Sequence, residues 1–126
     1  AGLGFSNVLL GPSCCDPFSR RALRTGMGAS LRLHLAASAD LNALFAAIRG
    51  LTMPIHAAAL TADAAPLDQV RPPQRVALML GPEACGLTDD LLACCEQIVT
   101  IRMHNNTDSL NVAVAAGILM HHYAQP

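Results

Sequence analysis

A carboxylate bracketed by glycines is the first group in this sequence placed for chemistry. Glu83 stands in Leu80-Gly81-Pro82-Glu83-Ala84-Cys85-Gly86-Leu87, a glycine-bounded turn after an apolar run. Gly81, with no side chain, lets backbone amide and carbonyl groups approach a flat ligand, and Glu83 adds one charge beside them. The string is neither a GxGxxG fingerprint nor a phosphate loop, and a plain strand-to-helix turn also produces it. A second group is the polar stretch from Ile101 to Asn111, which leads into an apolar run. Thr107, Asp108 and Ser109 read as a helix start, with Ser109 or Asp108 as the cap, and the unpaired N–H groups of a first turn can hold an anion or a polar ligand edge. Asn111 is a poor helix former inside such a turn, so it reads as either a capping or a ligand residue. A third group is Arg20, Arg21 and Arg24; all eight basic residues are arginine. The planar guanidinium fork suits phosphate, which points to an anionic partner, although a solvated helix face has the same pattern.

The five cysteines, Cys14, Cys15, Cys85, Cys94 and Cys95, form two adjacent pairs and a single. That is not a disulfide framework, and no Cys-x-x-Cys or Cys-x-x-His suggests zinc, so reduced thiols in a cytoplasmic protein and no metal are expected. Vicinal cysteines with His104 or His121 could hold a soft metal, but cysteine is more often a small core residue.

The elements that must position these groups alternate. Strands are expected at Asn7 to Leu10, Leu31 to Leu35, Ile55 to Leu60, Val76 to Leu80 and Ile98 to Ile101. Helices are expected from Asp16 or Ser19 through Arg24, from Asp40 to Arg49 with Gly50 as its stop, from Asp89 to Cys95, and from Leu110 to Tyr123. Leu41, Leu44, Phe45 and Ile48 fall on one face of the second helix, and Thr61 to Pro73 reads as a loop. Short apolar strands alternating with helices predict an α/β fold with a parallel sheet flanked by helices.

A length of 126 residues predicts one domain, and 52% hydrophobic against 13% charged residues excludes disorder. Apolar runs are far shorter than the roughly 20 residues of a bilayer span, so no membrane partner is expected. A net charge of -1 argues against holding nucleic acid by bulk charge, which leaves only local binding. The apolar residues of the last helix surround it, which predicts burial on all sides and a subunit contact.

The strings LMLGPEACGLTDDLLACCEQIVTIRM and NNTDSLNVAVAAGIL resemble the second and third motifs of the SpoU-like (SPOUT superfamily) RNA 2'-O-ribose methyltransferases, in order and at family-like separation. DPFSRRALRTGMGAS is similar to an arginine-rich segment of some members, with Gly26 where serine is usual. The resemblance implies a C-terminal trefoil knot, S-adenosylmethionine as methyl donor, an RNA substrate (tRNA or rRNA) and a homodimer. Carried over by position, it implies that Gly81, Ile101, Met103 and Leu110 hold the donor, with Leu60, Thr61 and Ala62 as a further wall. It matches Glu83, Ser109 and Asn111 to the polar active-site positions, and Arg20, Arg21 and Arg24 to RNA phosphate binding. The family's first motif, which carries an arginine that activates the ribose hydroxyl, has no match. The chain is therefore expected to be an N-terminally truncated portion of a longer protein, with little turnover alone. Two other readings are a non-catalytic RNA-binding or dimerising relic of the same fold and an unrelated nucleotide-binding module. Arg102 replaces a proline usual in the family and is expected to face solvent.

Overall fold

The computed structural model of the chain describes residues 1–105 and 109–124. Contacts divide the chain into two compact units, residues 1–47 and 48–126. In the first unit, β1 (Asn7–Leu10) pairs in parallel with β2 (His34–Ala37), Asn7 standing opposite His34 and Leu10 opposite Ala37. Between them lies α1 (Arg20–Thr25), whose N-cap is Ser19: its side chain accepts from the Ala22 N–H at 3.3 Å. Asp16 forms the preceding turn, its carboxylate accepting from the Phe18 N–H at 2.9 Å. Met27 and Gly28 are left-handed, with φ of 49° and 71°, and turn the chain into a 3-10 helix at Ala29–Arg32. This tight turn consumes the first residues of the expected Leu31–Leu35 strand, so β2 begins at His34.

The unit boundary falls inside α2 (Leu41–Gly50), which Asp40 caps by accepting from the Asn42 and Ala43 N–H groups at 2.9 and 3.3 Å. Phe45 and Ile48 are buried, as the predicted apolar face requires. Gly50 does not stop this helix; it is the last helical residue, and the left-handed position that ends it is Thr52, φ 52°.

The second unit is built on a four-stranded parallel sheet in the order β4 (Ala65–Pro66), β6 (Gln97–Thr100), β3 (Ile55–Ala58), β5 (Ala77–Leu80). β3 pairs on both edges and is covered on both faces, so Ile55, His56 and Ala57 are all buried. A strand buried in this way carries a continuous apolar run rather than an alternating one. Ile55, Val99 and Leu119 are the largest fully buried side chains, each worth about 1.5–3 kcal/mol of burial. The expected Thr61–Pro73 loop is more regular than its prolines suggest. It contains β4 and a 3-10 turn at Leu67–Gln69, with Leu67 buried. Pro66 is tolerated because β4 is an edge strand, where a missing donor leaves no ladder bond unmade.

The helix α3 (Asp89–Leu92) is shorter than the expected Asp89–Cys95 segment, and α4 (Val112–Tyr123) begins two residues after the expected start. The α4 helix is not buried all round. Leu119 and Tyr123 are buried, while Val114 and Ile118 are 51% and 40% exposed on one face. Among the described residues no helix is long and apolar enough to cross a membrane, and no cluster of three or more His, Cys, Asp or Glu could hold a metal. None of the five cysteines is in a disulfide.

Candidate functional site

Because β3, β5 and β6 are parallel, their carboxyl ends share one edge of the sheet, the place where open α/β sheets form ligand crevices. The chain leaves β3 through Ala59, Leu60 and Thr61, leaves β5 through Gly81 to Leu87, and leaves β6 through Ile101 to Met103. These three exits and the start of α4 surround one cleft of about 410 Å³. Of the residues singled out from sequence, Leu60, Thr61, Gly81, Glu83, Ile101, Met103, Ser109 and Leu110 line it. Ala62 does not. Asn111 is not among the lining residues either but is bonded to one of them, Glu83.

Two features make the cleft a built one. The Thr61 hydroxyl is buried and has no hydrogen-bond partner among the described residues, a cost that a bound polar group would remove. At Gly81 an added Cβ would lie 2.6 Å from the Gly86 carbonyl carbon and 2.8 Å from the Leu87 nitrogen. The turn is therefore folded back on Gly81 so tightly that only glycine fits. Gly86 contributes the left-handed corner, φ +65°, and its N–H donates to the Pro82 carbonyl at 2.8 Å.

Glu83 meets the helix start. Its Oε1 accepts from the Asn111 side-chain amide at 2.6 Å and from the Val112 backbone N–H at 3.1 Å. The Asn111 side-chain oxygen accepts from the Ala113 N–H at 3.0 Å, which makes Asn111 the N-cap. That corrects two expectations. Ser109 is not the cap, and Asn111 is not inside the first turn but half outside it with extended backbone, where asparagine is favoured. Thr107 and Asp108, the rest of the expected start, lie outside the described residues. A carboxylate against the positive end of a 12-residue helix is also favoured by the helix dipole.

The far end of α4 is fixed in the core. Tyr123 and the Nδ1 of His56 share a hydrogen bond of 2.5 Å, both side chains being 7% exposed. Burial holds the His56 pKa below its usual 6.5, with nearby Glu96 opposing, and pushes the Tyr123 hydroxyl up to about 12. His122 donates from Nε2 to the Val70 carbonyl at 2.8 Å. Sequence reading missed this buried pair, and the signal available was a lone histidine inside an otherwise apolar strand. It also missed Glu96, whose carboxylate accepts from the Ile55 N–H at 2.7 Å at the start of β3. Arg102, expected to face solvent, is half exposed and pairs with Asp68 at 3.4 Å.

In the first unit, Arg20, Arg21, Arg24 and Thr25 line one shallow surface cleft. Burial pushes the Cys95 thiol up to about 11, and its Sγ donates to the Leu91 carbonyl, as expected of a packed cysteine.

Comparison with known proteins gives this arrangement a lineage. The chain is 37% identical over 123 residues to an uncharacterized tRNA/rRNA methyltransferase of Mycobacterium tuberculosis, covering 94% of this chain and 42% of that one. It is 27% identical over 119 residues to the 23S rRNA (guanosine(2553)-2'-O)-methyltransferase RlmP of Bacillus subtilis, covering 94% of this chain and 47% of the relative. The chain thus spans about half the length of the curated relatives it matches. Among solved structures, the AdoMet-bound rRNA methyltransferase of Sinorhizobium meliloti superposes with a TM-score of 0.86 at 25% identity, over 97% of this chain and 46% of that one. The family model of the SpoU rRNA methylases matches residues 1–121, the stretch that carries the glutamate turn, the asparagine cap and the cleft between them; the chain belongs to the SpoU rRNA methylase family.

Proposed function

We propose that the chain carries the donor site and substrate-facing residues of an S-adenosylmethionine-dependent RNA 2'-O-ribose methyltransferase acting on tRNA or rRNA. The observation that supports this best is the meeting of Gly81, Ile101 and Leu110 with Glu83 and Ser109 around one cleft, at the sheet edge where the family's motifs converge. The residues present fit such a donor. The cleft offers an unpartnered Thr61 hydroxyl, a side-chain-free wall at Gly81 and apolar surface from Leu60, Ile101, Met103 and Leu110. Ala62, next in the chain, lies outside this wall.

The donor, when bound, supplies an activated sulfonium methyl group. The chain's residues then have mainly to orient: holding two reactants in line is worth about 7–11 kcal/mol in favourable cases. Glu83 holds the Asn111 amide and the Val112 N–H, so the start of α4 and the 81–87 turn keep one geometry. Ser109 lines the same cleft. Glu83 is the one ionisable group among the three, and its Oε1 is engaged as a double acceptor. Arg20, Arg21 and Arg24 bind RNA phosphates. The exposed Val114 and Ile118 face of α4 belongs to a homodimer contact. Residues 1–126 work as a single cytoplasmic methyltransferase domain with the trefoil knot, and the insertion of β6 between β4 and β3 accommodates such threading.

Calorimetry with S-adenosylmethionine and transfer of labelled methyl to bulk tRNA and rRNA test the reading. Weak donor binding is expected of the chain alone, with little turnover, and such label as is transferred is expected in 2'-O-methylnucleosides. Absence of donor binding would refute the donor site, and label on a base would refute ribose as the acceptor.

A further inference from the structure

Resting on the RNA reading above, we propose that Phe18 is a stacking platform for an unpaired RNA base, set beside the phosphate-binding arginines of α1. Four aromatic residues of the phenylalanine, tyrosine and tryptophan type occur in the chain, and three are wholly or partly withdrawn from solvent. Phe18 alone is exposed, at 52%. It stands two residues before Arg20, and its backbone is tied to the helix start: its N–H is bonded to Asp16, the Ser19 N–H donates to the Asp16 carbonyl at 3.2 Å, and Ser19 caps α1. The platform and the cations are therefore held by one hydrogen-bonded turn.

The arginines themselves break local rules. Arg20 and Arg24 are like charges four apart, and Arg21 and Arg24 three apart, which weakens a helix of only six residues. Two of them sit at its positive end, against the dipole, and its first turn contains no acidic residue. The ion pairs found among the described residues involve Arg49 and Arg102, none of these three. A sequence that keeps three unpaired guanidiniums in one cleft at a cost to its own helix has an anionic partner to offset it. Phosphate alone explains the charges but gives no use to the exposed ring that the same turn holds two residues before them in the chain. A nucleotide explains both: its phosphate meets the fork of an arginine, and its base, once unstacked, covers the ring. A duplex hides its bases inside the stack, so this pairing selects single-stranded or loop RNA. Asp16 is the single carboxylate in the turn and is already engaged with the Phe18 N–H.

The test uses the 126-residue chain with a labelled single-stranded RNA 12-mer and a duplex RNA of the same sequence, at several salt concentrations. The single strand is expected to bind more tightly. Phe18→Leu is expected to weaken it about tenfold while leaving the duplex unchanged, and Phe18→Tyr to restore it, because a π-face and not apolar area is required. The slope of log K against log salt should be unaltered in Phe18→Leu and reduced by about 0.7 in Arg24→Ala, the share of one phosphate on a single strand. Melting curves confirm that each variant folds. Equal single-strand affinity in Phe18→Leu and the parent overturns the platform and leaves RNA binding intact. Equal losses on single strand and duplex overturn it as well, as does a change in oligomeric state with no change in RNA affinity, which would make the ring a protein contact. Failure of the parent to bind either RNA removes this proposal and the RNA contact of α1 together, whereas donor binding and methyl transfer are read separately.

Discussion

Replacing Gly81 by alanine probes the cleft where it has least tolerance. The new Cβ would lie 2.6 Å from the Gly86 carbonyl carbon, 2.8 Å from the Leu87 nitrogen and 2.9 Å from the Gly86 oxygen. Non-bonded carbons rest at roughly 3.5–4.0 Å, so the turn must open by about 1 Å. All three atoms are backbone, and no side-chain rotation relieves the overlap. Nor can the turn open freely, because the Gly86 N–H is bonded to the Pro82 carbonyl. Overpacking of this kind costs about 1–3 kcal/mol. At about 4 °C of Tm per kcal/mol for a chain of this size, melting should fall by about 4–12 °C. Gly81, Gly86 and Leu87 all line the cleft, so the same movement displaces the wall that the donor is proposed to meet. The donor Kd should rise about tenfold or more, a loss of about 1.4 kcal/mol. Gly50→Ala is the control. Gly50 ends α2 with nothing within 4 Å of a Cβ, so alanine should raise stability by a few tenths up to about 1 kcal/mol and leave donor binding unchanged. Scanning calorimetry and donor titration on the three proteins decide it. A Gly81→Ala protein that melts and binds donor like its parent would refute the close-approach argument.

Asn111→Ala removes the cap of α4 and the partner of Glu83, so stability should fall by about 1–2 kcal/mol by melting, while methyl transfer, measured in the intact parent protein, falls by far more; equal activity in the folded variant would leave Asn111 a cap alone. His56 has a folded pKa below its unfolded value of about 6.5, so the unfolded chain binds its proton more tightly. The stability His56 contributes is therefore whole above about pH 6.5 and is lost as the pH falls through the folded pKa, and melts between pH 7.5 and 5 should show it, with a flatter profile in His56→Leu. If the proposed homodimer contact uses the exposed face of α4, light scattering should find the parent dimeric and Ile118→Glu monomeric; a monomeric parent, or a dimer unchanged by the substitution, would refute that contact.

Element types and order were legible in the sequence wherever the apolar pattern was strong. The Asn7–Leu10 strand and the Leu41, Leu44, Phe45, Ile48 face needed nothing but local periodicity. Boundaries failed where a tertiary or turn effect competed with that pattern. Leu31 to Leu33 look like strand residues but follow Gly28, whose left-handed backbone sets up a 3-10 turn first. Ala65–Pro66 becomes a strand only because β6 offers it a free edge, and no local signal in a proline-rich loop could reveal that. The cleft residues were reachable because strand ends in a parallel sheet converge on one edge, and because the motif resemblance marked which ends matter. The Glu83 contact to Val112 was not legible, since it joins positions 29 apart through a side chain whose local sequence is a turn.

These contacts also explain why α4 carries the site residue at its start and a buried tyrosine at its end. Its sequence is too uniformly apolar to fix its rotation by amphipathicity, since Val, Ala, Ile, Leu and Met occur on every face. Directional bonds do that instead. At the cleft, Glu83 fixes the first turn through the Asn111 amide and the Val112 N–H; in the core, the His56 bond to Tyr123 fixes the last turn against the central strand. Losing one of these bonds removes a directional restraint, while the packing around Leu119 and the His122 bond to the Val70 carbonyl remain. A helix so held keeps Asn111 in register with the 81–87 turn from both of its ends. Tyr123→Phe, remote from the cleft and almost unchanged in volume, leaves the buried His56 Nδ1 without its partner and is expected to lower stability by about 1–3 kcal/mol in melting curves; an unchanged Tm would show that this bond does not fix the last turn.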